Sequence, residues 1–214
     1  MPAARSRLVT LVVKPLFWLV ALFVPVHLIL GAVRADLGAD PVETIQIWTG
    51  KGALIGLFVT LAISPIRRLT GWNELIRARR LAGLLAFFLA TLHFFSYIVF
   101  DQSFSATEIV KDVREHPWVT AGFTAWTLLV PLALTSTTGM VRRLGGGTWR
   151  RIHQLVYFAA AGGVLHFLWL VKKDVTTPVL FGLVLLVLLV ARLPAQVRRR
   201  TAAKPTVGAR TEAA

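Results

Sequence analysis

LAGLLAFFLATLHFFSYIVF, residues Leu81–Phe100, is a run of twenty residues with no acidic or basic side chain and one histidine, His93. As an α-helix, twenty residues span about 30 Å, the thickness of a bilayer's hydrocarbon core. The stretch predicts a transmembrane helix. The histidine inside it is the first sign of function, because ionisable side chains are costly there and usually carry a task.

Five further apolar runs lie on either side: Leu11–Leu30, Gly50–Ile66, Val119–Thr137, Ile152–Val171 and Pro178–Leu193. Together they predict an all-α integral membrane bundle of six transmembrane helices. Composition agrees: 56% of the 214 residues are hydrophobic and only 16% charged, against about 25% charged in a soluble domain. A soluble core of this size could not hide so much apolar surface. The chain has no cysteine, which excludes disulfides, zinc–thiolate sites and iron–sulfur clusters. Its net charge of +14 is scattered between the apolar runs, so it points to a membrane protein and not to a nucleic-acid partner. Arg5 and Arg7 before the first run, with Lys14 in its first turn, resemble a signal peptide, but the later spans favour an uncleaved helix. Residues 1–197 are expected to form one domain, and residues 198–214 a basic, disordered cytoplasmic tail.

The basic residues also set an orientation. Arg5, Arg7, Lys14, Arg67, Arg68, Arg77, Arg79, Arg80, Arg142, Arg143, Arg150, Arg151, Arg192 and the tail fall on one side, 18 of the 24 Lys and Arg residues. By the positive-inside rule both termini are cytoplasmic, and the bacterial inner membrane is the expected location.

His93 lies seven residues before the outer end of its run, and His166 five before the end of Ile152–Val171. Both runs cross in the same direction, so the two imidazoles sit about 8–10 Å below the outer surface. Equal depth on parallel helices suits axial ligation of one haem b iron. Gly83, Ala86, Ala90, Ala159, Gly162 and Gly163 are expected to let a porphyrin approach the backbone, with Phe94, Phe95, Phe158 and Phe167 around its edge. His153 stands about 20 Å below His166, a spacing that suits a second haem. Thirteen helical steps leave the two rings about 140° apart, however, unless Gly162–Gly163 supplies a bend. Arg79 and Arg80 occupy the matching depth below His93, where a second histidine would be needed. His153 could ligate on one side only, bind a quinone oxygen, or cap a helix. His27 and His116 read as interfacial.

Asp40-Pro41-Val42-Glu43 is a helix start, with Asp40 as cap and Glu43 completing a capping box. It predicts a short helix on the outer surface, with Ile45, Ile47 and Trp48 facing lipid. The cluster Arg77, Arg79, Arg80, Arg142, Arg143, Arg150 and Arg151, with Trp149, could hold an anionic cofactor group or lipid, or could simply be topogenic charge.

The motifs GADP (38–41), RARRLAGL (77–84), ATLH (90–93), LTST (134–137) and IHQLVY (152–157) together resemble one family. It is MsrQ, the haem-binding membrane subunit of the protein-methionine-sulfoxide reductase system, within the ferric-reductase-like transmembrane group. The resemblance implies one or two haems b at His93, His166 and His153, and an FMN that the inner face could hold; Arg79 and Arg80 of the arginine cluster are the candidate residues there. It implies a quinol or flavin electron donor, and a periplasmic molybdopterin methionine-sulfoxide reductase as partner in which catalysis takes place. This subunit would then be an electron carrier and not itself the enzyme. The alternative is a stand-alone ferric reductase or another cytochrome b-type quinol oxidoreductase subunit.

Overall fold

The structure is a computed structural model that describes residues 2–192. The tail 198–214, and the ends of the 1–197 domain and of the last predicted span, lie outside the described residues. Among the described residues the secondary structure is entirely helical. Helix α1 (Pro2–Leu8) runs through a π-helical turn into α2 (Lys14–Val33), followed by α3 (Pro41–Thr70) and α4 (Ile76–Ser96). Then come α5 (Ala106–Glu115), α6 (Pro117–Leu134), α7 (Thr138–Ile152), α8 (Leu155–Leu170) and α9 (Thr176–Val190).

Four helical stretches are long and apolar enough to cross a membrane: Ala4–Val33, Pro41–Thr70, Asn73–Asp101 and Pro117–Leu134. Thr138–Ile152 and Leu155–Leu170, bent by 41° where they meet, make a fifth if taken as one span. Helix α9 is apolar but has only 15 residues, about 22 Å of helix. Leu11, Leu19, Val33 and Val187 are each more than 60% exposed, as side chains facing lipid would be.

The short surface helix expected after Asp40 does not exist as a separate element. Asp40 caps as read, its carboxylate accepting from the Glu43 N–H at 2.9 Å, but the helix it starts continues for 30 residues to Thr70. Gly50 and Gly52 weaken a helix without stopping it, and both lie against α4 side chains, His93 and Leu89. The stop comes at Gly71, whose φ of 66° is the left-handed conformation that ends helices.

Helices α3 and α4 form the main antiparallel seam, and α6 and α8 the second. A Cβ on Gly56 would stand 2.9 Å from the Ala86 Cβ and 3.1 Å from its Cα. Gly83 faces Thr60, Gly162 faces Ala125 and the Ala121 carbonyl, and Gly163 faces Leu54. Ala86 and Ala159 are buried in the core with Leu57, Leu61, Leu129 and Val156. The small residues expected to cradle a porphyrin therefore serve close helix packing instead, the usual use of such residues in membranes. Gly56→Ala should force the seam apart and lower stability by about 1–3 kcal/mol. The check is a thermal melt in detergent; a midpoint equal to the parent's would mean the seam opens at no cost.

Arg192, just past α9, is only 6% exposed. Its Nε donates to the Leu61 carbonyl at 3.0 Å and its Nη1 to the Tyr157 hydroxyl at 3.0 Å. The residue four beyond Leu61 is Pro65, buried inside α3. Proline has no N–H to close that helical bond, so the carbonyl is available to the guanidinium. Arg68 of α3 donates in return to the Ala191 carbonyl. A residue counted in the sequence as topogenic charge is a buried clamp.

Candidate functional site

His93, near the end of α4, directs its Nδ1 to the Gln46 carbonyl of α3 at 3.1 Å. Thr49 Oγ1 lies 3.4 Å from the same nitrogen but gives its own hydrogen to the Ile45 carbonyl at 2.6 Å. Nδ1 is therefore the protonated nitrogen. His166, near the end of α8, sends its Nδ1 to the Trp118 carbonyl of α6 at 2.7 Å. Each ring lies over a glycine four residues after its carbonyl partner. A Cβ on Gly50 would come within 3.1 Å of the His93 ring, and one on Gly122 within 2.8 Å of the His166 Nδ1. The same cradle is built twice, on α3 for α4 and on α6 for α8.

The two rings meet at a centroid separation of 6.0 Å and an interplanar angle of 69°. Helices α4 and α8 otherwise make hardly any direct contact. With each Nδ1 tied to a carbonyl, each Nε2 keeps its lone pair. Neither Nε2 is among the buried atoms lacking a partner, so each opens onto accessible space. Two imidazoles on one metal, at bonds of about 2 Å, place their ring centres about 6 Å apart. Fixing one nitrogen on a carbonyl while the other ligates is the usual second-shell arrangement at metal sites. The donor set and spacing suit a bis-imidazole iron, and among the described residues no cluster of three or more His, Asp or Glu competes for a metal.

The surroundings differ in part from expectation. Phe94 stacks on Trp126 at 4.1 Å, and Phe167 meets Phe181 edge-on at 5.7 Å. Phe95 and Phe158 are 51% and 66% exposed and turn outward. Lys51 places its ammonium 5.8 Å from the centre of the Phe167 ring, next in sequence to His166. A cap covers this end: the Asp112 carboxylate of α5 accepts from the Tyr97 hydroxyl at 2.6 Å and the Gln102 amide at 3.1 Å. It also holds His116 Nδ1 at 2.6 Å, and the His116 ring packs on Trp118 at 4.7 Å. His27 is on the outer face of α2, stacked on Phe23 and beside Trp48.

His153 closes α7 at the opposite end of the bundle. Its ring stacks on Trp149 at 4.0 Å, its Nδ1 faces the Trp149 carbonyl at 3.1 Å, and the indole donates to the Thr135 carbonyl at 3.0 Å. The bend in this region falls at His153–Gln154 between α7 and α8, not at Gly162–Gly163, through which α8 runs unbroken. Arg79 and Arg80 diverge. Arg79 turns inward, within electrostatic reach of His153, Tyr157 and Arg192, while Arg80 is exposed and reaches Thr138 Oγ1 at 3.5 Å.

Residues 49–164 match the family described as ferric reductase like transmembrane component. The chain is 47% identical over 183 residues to the protein-methionine-sulfoxide reductase heme-binding subunit MsrQ of Herminiimonas arsenicoxydans, covering 85% of this chain and 84% of that one. It is 46% identical over 186 residues to the MsrQ of Rhodospirillum rubrum, covering 87% and 85%. The chain belongs to the MsrQ family. The ferric-reductase match takes in both cradle glycines, His93, His153 and Arg79 and ends two residues before His166. In this MsrQ family member, then, both cradle glycines lie inside the ferric-reductase-like match and the His166 ring lies just beyond it. The sequence reading missed Gly50, Gly122, Lys51, Tyr97 and Asp112. The glycines carry a visible signal, each lying near the start of a span at the depth of a histidine on another helix.

Proposed function

We propose that the chain is a haem b electron-transfer subunit, with His93 and His166 as the axial ligands of the haem nearer the outer surface. The observation that carries this reading is the facing imidazole pair, 6.0 Å between ring centres, with each Nδ1 committed to a backbone carbonyl. The relatives' designation as heme-binding subunits supports it. Haem b in such a site supplies a low-spin one-electron carrier. The protein holds the ring nitrogens in one tautomer, closes the outer end with the Asp112 cap, and offers Lys51 as a counter-charge for a propionate.

In this reading residues 1–197 form one haem-binding domain in the bacterial inner membrane. It has six spans, α9 being the sixth, and both termini are cytoplasmic. Electrons enter from quinol or reduced flavin at the arginine-rich end, where His153, Arg79 and Arg80 are the candidate residues for a second haem or FMN. They leave at the histidine end to a periplasmic molybdopterin methionine-sulfoxide reductase, which performs the repair of oxidised proteins.

A pyridine haemochrome assay on the purified chain tests the reading, with haem b the expected result; a colourless, correctly folded preparation would refute it. His153→Ala should slow reduction of the outer haem by quinol or reduced FMN, followed at the α-band in stopped flow, while that haem stays bound. Unchanged rates would leave His153 as a helix cap only. Orientation is checked by terminal fusions: fluorescent protein should be bright and alkaline phosphatase silent at the C-terminus, and the reverse would invert the bundle.

A further inference from the structure

Each carbonyl that orients a ligand ring belongs to a residue that is itself tied down at the outer end of the bundle. Gln46, whose carbonyl faces His93 Nδ1, donates its side-chain amide to the Asp101 carboxylate at 2.5 Å. Asp101 ends a π-helical stretch, Tyr97–Asp101, that prolongs α4 beyond His93. Eight residues of α-helix would carry Asp101 about 80° round from His93. The wider π turn leaves it on the face that meets α3. Gln46 is therefore held at two points by one stretch of chain, through its carbonyl and through its amide.

The other orienting carbonyl belongs to Trp118, in the first turn of α6 and two residues after His116. The His116 carbonyl accepts from the Thr120 N–H at 3.2 Å, and the Thr120 hydroxyl donates to the Val113 carbonyl of α5. Both cradles then meet at one side chain. Asp112 Oδ1 accepts from His116 Nδ1 at 2.6 Å, while Oδ2 accepts from the Tyr97 hydroxyl at 2.6 Å and the Gln102 amide at 3.1 Å. Tyr97 stands one helical turn beyond His93, and Gln102 follows Asp101. The Asp112 carboxylate thus joins the stretch that holds Gln46 to the stretch that starts α6. Helix α5 has a start signal of its own, Ser105 Oγ accepting from the Glu108 N–H at 3.4 Å. Among the described residues no lysine or arginine pairs with Asp112.

We propose that Asp112 is a positioning residue for both haem ligands. Through Tyr97 and Gln102 it fixes the Gln46–His93 cradle, through His116 it fixes the Trp118–His166 cradle, and its charge lowers the potential of the haem they hold. The proposal rests on the haem reading above. Partners outside the ligand shell orient the ligands and tune a metal's redox potential. A fixed anion favours the oxidised state, which carries one more positive charge than the reduced state. A lowered potential makes the outer haem the better electron donor.

The test compares the haem-loaded full chain in detergent with Asp112→Asn, Asp112→Glu, His116→Ala and Ser105→Ala. Redox titration at the α-band, the low-spin EPR signal and the melting temperature are read for each, and the signal lost in His93→Ala identifies the outer haem. In Asp112→Asn the equilibrium should move about tenfold towards ferrous haem, about 59 mV for a one-electron couple, with a shifted EPR signal. Asp112→Glu keeps the charge and displaces the oxygens, so the potential should stay near the parent's while the EPR signal shifts. His116→Ala cuts the tie to α6 and should act like Asp112→Glu. Ser105→Ala loosens α5 with the carboxylate in place, and should lower the melting temperature while leaving potential and EPR unchanged. Should Asp112→Asn fail to fold, Asp112→Glu and His116→Ala decide on the EPR signal. Parent-like potential and EPR in the Asp112 variants would make the residue a tether of α5 and overturn the proposal. A parent without low-spin haem would instead refute the haem reading, and the proposal would fall with it.

Discussion

Replacing either His93 or His166 with alanine is expected to abolish the outer haem's low-spin α-band. Each variant removes one of two nitrogens that face each other across a 6.0 Å centroid gap. No other imidazole is available at that level: His27 is stacked on Phe23 at the periphery, and His116 is held by Asp112. Even second-shell changes at metal sites cost about 10–100-fold in affinity, and loss of a direct ligand should exceed that. Because α4 and α8 meet at this level mainly through the two rings, each variant should also loosen the outer half of the bundle. Haem-to-protein ratio and the visible spectrum of the purified variants provide the measurement. A normal α-band in either variant would show that the facing pair does not ligate haem.

Gly122→Ala should give the next largest effect although it touches no ligating atom. The added methyl would stand 2.8 Å from His166 Nδ1 and 3.1 Å from two ring carbons, closer than real contacts allow. The ring must move, and the 2.7 Å bond to the Trp118 carbonyl must lengthen or break. With its orienting partner weakened, haem affinity should fall by about 10–100-fold, with a shifted low-spin EPR signal in what remains bound. Gly50→Ala crowds the His93 ring less, at 3.1 Å, and should cause the smaller change. Haem titration into the apo-variants separates the two. Parent-like affinity and EPR in Gly122→Ala would mean that the groove plays no part in holding the ring.

The helical membrane class was legible because apolar length is a local property: Leu81–Phe100 declares itself without reference to any other segment. The Asp40 cap was legible for the same reason. Its continuation into a 30-residue helix was not, since a start signal says nothing about where a helix stops, and the stop lay at Gly71. Helices α5 and α7 escaped notice because they carry charged side chains and lack a long apolar run. Depth arithmetic put His93 and His166 at one level, and the structure sets their rings side by side. It could not say which helices flank them, because residue counts give height along an axis and not direction around it. That is why Gly83, Ala86 and Gly162 were read as room for a cofactor when they seat neighbouring helices, and why Gly50 and Gly122 went unremarked. The family resemblance rested on motifs spread from residue 38 to 157, and similarity over 85% of the chain bears it out.

Pro65 leaves the Leu61 carbonyl without the N–H that its own helix would otherwise supply, and the group that answers it, Arg192, lies 131 residues later in the chain. During synthesis that acceptor must wait inside the growing bundle until the last described helix arrives, since an unsatisfied carbonyl cannot turn to water in hydrocarbon. Arrival of α9 then fastens α3 and α8 in one event, through Leu61 and Tyr157. A chain truncated before that helix would carry an open acceptor in its interior. Arrival of α9 and closure of the bundle are thereby the same step.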